Sequence, residues 1–264
     1  MRLEDKIAVV TGGAHGIGRA LARRFKAEGA RMVVVVDQDV SGANVVAGEI
    51  GGVGIGADVA VEEDIVSVVG ETERQFGQID LFCSNAGIYC EDPTTAASTS
   101  SEVWGTMWSV NVMAHVYAAR AALPAMLERG EGYFLNTVSA AGVLSHPNSA
   151  PYATTKHAAL GFAESLSIAH GDEGIRVSVI CPQAVRTAML GDLEDGEVLD
   201  GGVQGGDGVL EPADVAQSVV EALEEERFLV LPHPEVLEYM RRKTSDYDRW
   251  LKGMRRLRAR FMAS

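Results

Sequence analysis

The 264-residue sequence has no run of about 18 consecutive apolar residues, so no segment reads as a membrane-spanning helix. Charge interrupts "MRLEDKIAVV" too early for the apolar stretch of a secretory signal peptide. Cysteine is scarce. Cys83, Cys90 and Cys181 are odd in number and lack C-x-x-C spacing, which argues against a disulfide framework or a cysteine zinc site and points to a reducing, cytoplasmic setting. The six histidines are scattered, so no metal site is expected. Basic residues are outnumbered, and the net charge of −14 disfavours nucleic acid or an anionic membrane as a partner. One stretch departs from that balance. "RRKTSDYDRWLKGMRRLRARF" is basic, and its Trp250, Met254, Leu257 and Phe261 recur at helical spacing. A helical tail over about 234–264 is expected, docked by its apolar side on the acidic body of the chain or on a sister subunit.

Apolar content is ample for a large core at 47%, and the 29 glycines suit a fold with many tight strand-to-helix turns. Apolar, β-branched runs alternate with helical patterns: "KIAVVTG", "RMVVVVD", "VGIGAD", "IDLFCSNAG", "GYFLNTVS", "IRVSVICP" and "RFLVLPH" read as strands. Helices are expected over 16–28, 41–49, 62–76, 103–128, the stretch around Tyr152, 212–224 and the tail. Strands without strict alternation are buried on both faces, and strand-helix repetition means parallel pairing with right-handed crossovers. The expected fold class is therefore α/β: a doubly wound parallel sheet of about seven strands, Rossmann-like, with helices on both faces. No linker divides it, so residues 1–264 read as a single domain. The acidic, glycine-rich stretch 191–208 is long for a structureless loop and is expected to be a mobile lid.

"TGGAHGIG" closes the first strand and opens the first helix. Glycines there let the backbone approach a pyrophosphate, and the helix N-terminus presents free N–H groups. Gly12, His15, Gly16, Ile17 and Gly18 are candidate cofactor-binding residues. The second strand ends at Asp37, roughly 20 residues further on, where a carboxylate can bond a ribose 2′-hydroxyl and repel a 2′-phosphate. Gln38 follows instead of a basic residue, which favours NAD over NADP. Asp37 capping the following turn is the simpler alternative.

"APYATTKHAAL" sets Tyr152 and Lys156 four residues apart, one turn apart on one helical face. Alone, the pair reads as a solvated face with a snorkelling lysine. Ser139 stands at the carboxyl end of the fifth strand, where open α/β sheets place ligands, although a serine there could merely cap a turn. Asn111 falls in the middle of a helix, where asparagine is unfavourable unless its amide has a purpose, as a satisfied core side chain or otherwise.

Taken in order, Thr11-Gly12-x-x-x-Gly16-x-Gly18, Asp37, Asp58-Val59, Asn85-Ala86-Gly87, Asn111, Ser139, Tyr152, Lys156 and "CPQAVRT" resemble the single-domain branch of the short-chain dehydrogenase/reductase family. The resemblance covers about residues 4–190 and thins beyond. It implies NAD as cofactor, held by the glycine turn, Asp37, Asp58, Val59, Asn85, Ala86, Gly87, Tyr152, Lys156, Pro182, Val185 and Thr187. It implies Tyr152 as general acid/base, Lys156 as both activator of the phenol and holder of the nicotinamide ribose, Ser139 as donor to the substrate oxygen, and Asn111 at a helix irregularity that holds a water. One departure is Gln183, where the family usually carries glycine. Largely apolar expected pocket walls suit a small hydrophobic secondary alcohol or ketone as substrate. His146 is either a substrate contact or a loop residue. A homotetramer, or a dimer, is expected through the long helices and the tail. Two other readings share the fold: a catalytically silent nicotinamide-binding regulator, and a nucleotide-sugar epimerase or dehydratase, for which the chain beyond Thr187 is short.

Overall fold

The computed structural model describes residues 1–92, 94–190 and 207–261. Seven parallel strands lie in the order β3-β2-β1-β4-β5-β6-β7. They are β1 (Ile7–Thr11), β2 (Met32–Asp37), β3 (Val53–Gly56), β4 (Leu81–Ser84), β5 (Gly132–Thr137), β6 (Ile175–Ile180) and β7 (Leu229–Val230). The central strands are buried on both faces, as near-continuous Val, Ile and Leu runs require. Period-two alternation divides their side chains between two cores. Val9, Phe82, Phe134 and Val179 join the core on one face, and Val10, Cys83, Leu135 and Ile180 join the core on the other.

Helices cover both faces: α1 (Gly16–Ala27), α2 (Val40–Ile50), α3 (Glu62–Phe76), α4 (Ser101–Trp108), α5 (Ala114–Arg129), α6 (Ala150–His170), α7 (Pro212–Glu225), α8 (Glu235–Ser245) and α9 (Tyr247–Phe261). Their starts are chemically marked. Asp39 caps α2 by accepting from the Gly42 N–H, and Ser149 caps α6 by accepting from the Tyr152 N–H. Glu211 and Asp214 form a reciprocal capping box on α7, with Pro212 in its first turn. The caps on α6 matter most for the site, because they fix where the helix bearing Tyr152 and Lys156 begins.

Three sequence expectations are refined. The long helix expected over 103–128 is two α-helices joined by a π-helical turn at Ser109–Met113, centred on Asn111. The seventh strand is only Leu229–Val230, parallel to β6, so the exposed edge is two residues long. The terminal helix is split into α8 and α9, with Asp246 capping the second through the Arg249 N–H. The lid expected over 191–208 lies outside the described residues except for its last two. Among the described residues, no helix is long and apolar enough to cross a membrane. Cys83, Cys90 and Cys181 are free thiols.

Candidate active site

The strand order reverses direction between β1 and β4, and a cleft opens at the carboxyl ends of the strands there. It measures about 630 Å³ and runs from Gly12, past Asp37 and Asp58, to Ser139 and Tyr152.

Its first half is backbone brought unusually close. Gly12 has φ +64°, and a Cβ there would stand 2.9 Å from the Ala86 Cα. A Cβ on Gly18 would lie 2.0 Å from the Gly12 carbonyl oxygen. Gly12, His15, Gly16 and Ile17 line the cleft, whereas Gly18 does not. Gly18 packs against the Gly12 carbonyl, which lets α1 press against the turn after β1. Asp37 lines the cleft with Gln38, and its carboxylate accepts from the N–H groups of Ala14 and Asp39. Asp37 therefore braces the local turns and also faces the cleft. His15 bonds Asp39 at 3.2 Å, so the mouth of this half carries the carboxylates of Asp37 and Asp39 close together. Asp58, Val59, Asn85, Ala86, Gly87, Pro182, Val185 and Thr187 also line the cleft.

Asn85 also does structural work. Its Nδ2 donates to the Thr11 carbonyl at 3.0 Å, its backbone N–H donates to the Thr11 hydroxyl, and its Oδ1 accepts from the Thr137 hydroxyl at 2.9 Å. One side chain thereby ties together the ends of β1, β4 and β5, which border the cleft.

The second half gathers the polar residues. Tyr152, Lys156 and Ser139 line it, surrounded by Ile88, Val110, Ala141, Leu144 and Leu190. Asn111 is completely buried and lies behind the cleft wall. Its amide donates to the Ile88 carbonyl at 2.9 Å and to the Thr155 hydroxyl, and its Oδ1 accepts from the Ile88 N–H. A Cβ on Gly87 would be 3.3 Å from both Asn111 Oδ1 and Lys156 Nζ, so the two groups border the same small space. The Ser139 hydroxyl accepts from the Ala141 N–H, so it serves as a turn cap while still facing the cleft. Tyr89 and His146 stand edge-to-face with Tyr152, at ring-centre distances of 5.2 and 6.0 Å. His146 is thereby placed on the cleft wall.

Burial sets the electrostatics. It pushes the Tyr152 phenol above its ordinary pKa, and the neighbouring Ser139 hydroxyl pulls the other way. Burial lowers Lys156 from 10.5 to about 8. The sequence expectation was that the ammonium lowers the phenol; in the protein alone, desolvation outweighs it. The strength of that desolvation depends on how completely the pair is enclosed, which no local residue pattern encodes. The sequence likewise did not mark Thr106 and Val110 as cleft residues, or the approach of α8 to the loop after β5. A hint was present in the polar Lys243 of the otherwise amphipathic tail: its Nζ donates to the Val143 carbonyl at 2.8 Å.

The cleft's glycine turn and polar cluster fit a nucleotide-dependent dehydrogenase, and the short chain dehydrogenase family model matches residues 6–198. The chain belongs to the short-chain dehydrogenase family. It is 35% identical over 252 residues to 1-deoxy-11-beta-hydroxypentalenate dehydrogenase of Streptomyces exfoliatus, covering 93% of this chain and 90% of that one. It is 30% identical to the meso-2,3-butanediol dehydrogenase of Serratia marcescens, covering 72% of this chain and 75% of the relative. A short-chain dehydrogenase/reductase from Burkholderia phymatum, solved in complex with NAD, superposes with a TM-score of 0.83 at 26% identity, over 94% of this chain and 96% of that one. The 3-ketoacyl-(acyl-carrier-protein) reductase of Brucella melitensis, complexed with NADH, gives a TM-score of 0.77 at 29% identity, over 87% and 97%. As a member of this family, the protein is an oxidoreductase acting on CH–OH groups.

Proposed function

We propose that the protein is an NAD-dependent oxidoreductase that interconverts a hydrophobic secondary alcohol and its ketone, with Tyr152 as general acid/base. The observation that carries this reading is the convergence of Ser139, Tyr152 and Lys156 at the apolar end of a cleft whose other end is the Gly12–Ile17 turn and Asp37. The close backbone approach at Gly12 fits a pyrophosphate, and Asp37 with no basic residue beside it suits a free ribose 2′-hydroxyl. Gly12, Gly16, Ile17, Asp37, Asp58, Val59, Val185 and Thr187 would hold the dinucleotide, with Lys156 at its nicotinamide ribose. When bound, it would supply the hydride chemistry.

The residues of the chain move the proton and hold the oxygen. In reduction, neutral Tyr152 donates its phenolic proton to the oxygen of the substrate carbonyl. Burial favours this neutral form, so the protein alone is poised as an acid. That donation leaves a phenolate, which the Lys156 ammonium stabilises; in oxidation the phenolate accepts the hydroxyl proton and returns to the neutral phenol. Ser139 donates a hydrogen bond to the substrate oxygen, where charge changes along the reaction. Asn111 holds the π-helical turn against Ile88 and so positions the wall beside Lys156. The apolar walls exclude water and favour a substrate with little polar surface beside its carbinol. The working unit is a symmetric homotetramer.

The deciding experiment mixes the whole protein with NAD and a panel of lipophilic secondary alcohols and follows the absorbance of reduced nicotinamide. NADH with the matching ketones is run as the reverse. The expected result is turnover that Tyr152→Phe abolishes. Turnover that survives in that variant, or its absence in both directions across the panel, would overturn the reading.

A further inference from the structure

Beyond the catalytic cleft lies a second groove of about 780 Å³, between the loop after β5 and the helices α8 and α9. The two spaces share Leu144, Ser145 and Gln183 in their walls. A dinucleotide held from Gly12 to Lys156 would leave the space beside Tyr152 for the substrate, and the shared residues lead from the cleft to the groove. We infer that the groove is a distal substrate subsite: it receives the far end of an extended hydrophobic alcohol or ketone, and that end carries one anionic group, a carboxylate in its simplest form. The inference rests on the oxidoreductase reading above.

Gln183 builds the joint. Its Nε2 donates to Asp207 at 2.8 Å, and the other oxygen of Asp207 accepts from the Tyr239 hydroxyl at 2.8 Å. Its backbone N–H donates to the buried ring of His233 at 3.2 Å. Glutamine at this position thus ties the loop after β6 to α8, which a glycine could not do through a side chain. Further along α8, Lys243 bonds the Val143 carbonyl. Helix α8 is therefore held at two points to the loops that border the cleft, which limits the ordering cost of binding in the groove.

The lining has two characters. Leu144, Trp250, Met254 and Leu257 give it an apolar surface, and Arg242, Arg249 and Arg256 give it charge. The acids in the same wall are Asp207, already bonded to Gln183 and Tyr239, and Asp246, which caps α9. Arg242 is already paired with Glu238 at 3.0 Å, whereas Arg249 and Arg256 have no carboxylate partner among the described residues. Two such guanidinium groups stand out on a chain of net charge −14 and suit one anionic group. Arginine also suits a planar carboxylate, which it can bind through two parallel N–H donors.

The test compares three probes with NAD and the whole protein: 6-hydroxy-6-phenylhexanoate, its methyl ester, and 1-phenylethanol. The acid should exceed its ester in kcat/KM by about tenfold or more, the scale of a charge-assisted hydrogen bond. That ratio should collapse toward one in Arg249→Ala and in Arg256→Ala, and survive in Arg249→Lys. An enzyme that turns over 1-phenylethanol but treats acid and ester alike overturns the subsite and leaves the oxidoreductase reading standing. If no probe is turned over, the groove is judged by binding. With NADH present, the acid should quench the Trp250 fluorescence, identified by its loss in Trp250→Phe, and the ester should not. Equal quenching by both, or none by either, assigns the groove to another occupant, such as the chain's own acidic stretch 191–206 or a second copy, and overturns the proposal.

Discussion

Lys156 Nζ stands 5.6 Å from the centre of the Tyr152 ring and donates a 3.0 Å hydrogen bond to the Thr137 carbonyl. The bond to the end of β5 fixes the ammonium, and its charge then acts on the phenol through space. Two roles follow for the lysine: stabilising charge on the phenol, and presenting N–H donors toward the space beside Gly87.

Tyr152→Phe keeps the ring against Tyr89 and His146 and removes only the proton. Turnover should fall by roughly a hundredfold or more, the usual scale for lost acid–base catalysis. NADH binding, followed by fluorescence, should survive. Lys156→Met should reduce both turnover and NADH affinity, since one group serves both. A variant that loses turnover with unchanged affinity would remove the ribose contact from its assignment.

Asp37→Asn tests the cofactor preference with less collateral damage than Asp37→Ala. The amide oxygen can still accept from one of the two backbone N–H groups, of Ala14 or Asp39, that bond separate oxygens of the carboxylate, whereas alanine would lose both partners. The charge that would repel a 2′-phosphate is gone. Fluorescence titration should show NADH bound more tightly than NADPH by the native protein, and the gap should narrow in the variant. Equal affinities in the native protein would refute the preference.

Acid stability should depend on two buried imidazoles. Burial lowers His115 from 6.5 to about 3 and His146 to about 4. Both ring nitrogens of His115 lack a protein hydrogen-bond partner among the described residues. A depressed histidine pKa means that the unfolded chain holds the extra proton first. The stability contributed by neutral burial is complete above about pH 6.5 and is lost as pH falls toward the folded values. Each histidine adds a slope of up to about 1.4 kcal/mol per pH unit inside that window. Urea denaturation between pH 7 and pH 5, above the range where most carboxylates titrate, isolates this effect. His115→Phe should flatten the slope, and an unchanged slope would show that His115 does not remain neutral in the fold.

The sheet was legible because burial on both faces writes itself as uninterrupted Val, Ile and Leu, as in "MVVVVD". The cluster was legible because Tyr152 and Lys156 lie one helical turn apart and Ser139 ends a strand. Three features were less accessible. The close packing of Gly18 against the Gly12 carbonyl is a tertiary contact that the glycine motif alone does not reveal. The π-helical turn at Asn111 was implied by resemblance, but its cause is tertiary, since the amide bonds Ile88 and Thr155 from other segments. The docking of α8 beside the catalytic loop depends on contacts such as Lys243 to Val143, exactly one hundred residues apart, which no local pattern encodes.

Assembly supplies the last prediction. The helices expected to pair between subunits, α4–α5 and α6, do expose apolar side chains: Ile168 is 85% exposed and Trp108 42%. Single exposed apolar residues are ordinary, so exposure by itself decides nothing. The tail offers a weaker surface than the sequence implied, because β7 is two residues long and Trp250 already packs against the chain's own core. The long helices are therefore the better candidates for the contact, and the tail is freed for the groove. Light scattering at micromolar concentration should return a multiple of the 28.1 kDa chain mass, most simply four. Ile168→Glu places a charge on the α6 surface and should shift that mass toward the monomer, while the far-UV spectrum stays native. A native protein that is monomeric at this concentration would refute the assembly. An intact tetramer in Ile168→Glu would move the contact off this part of α6.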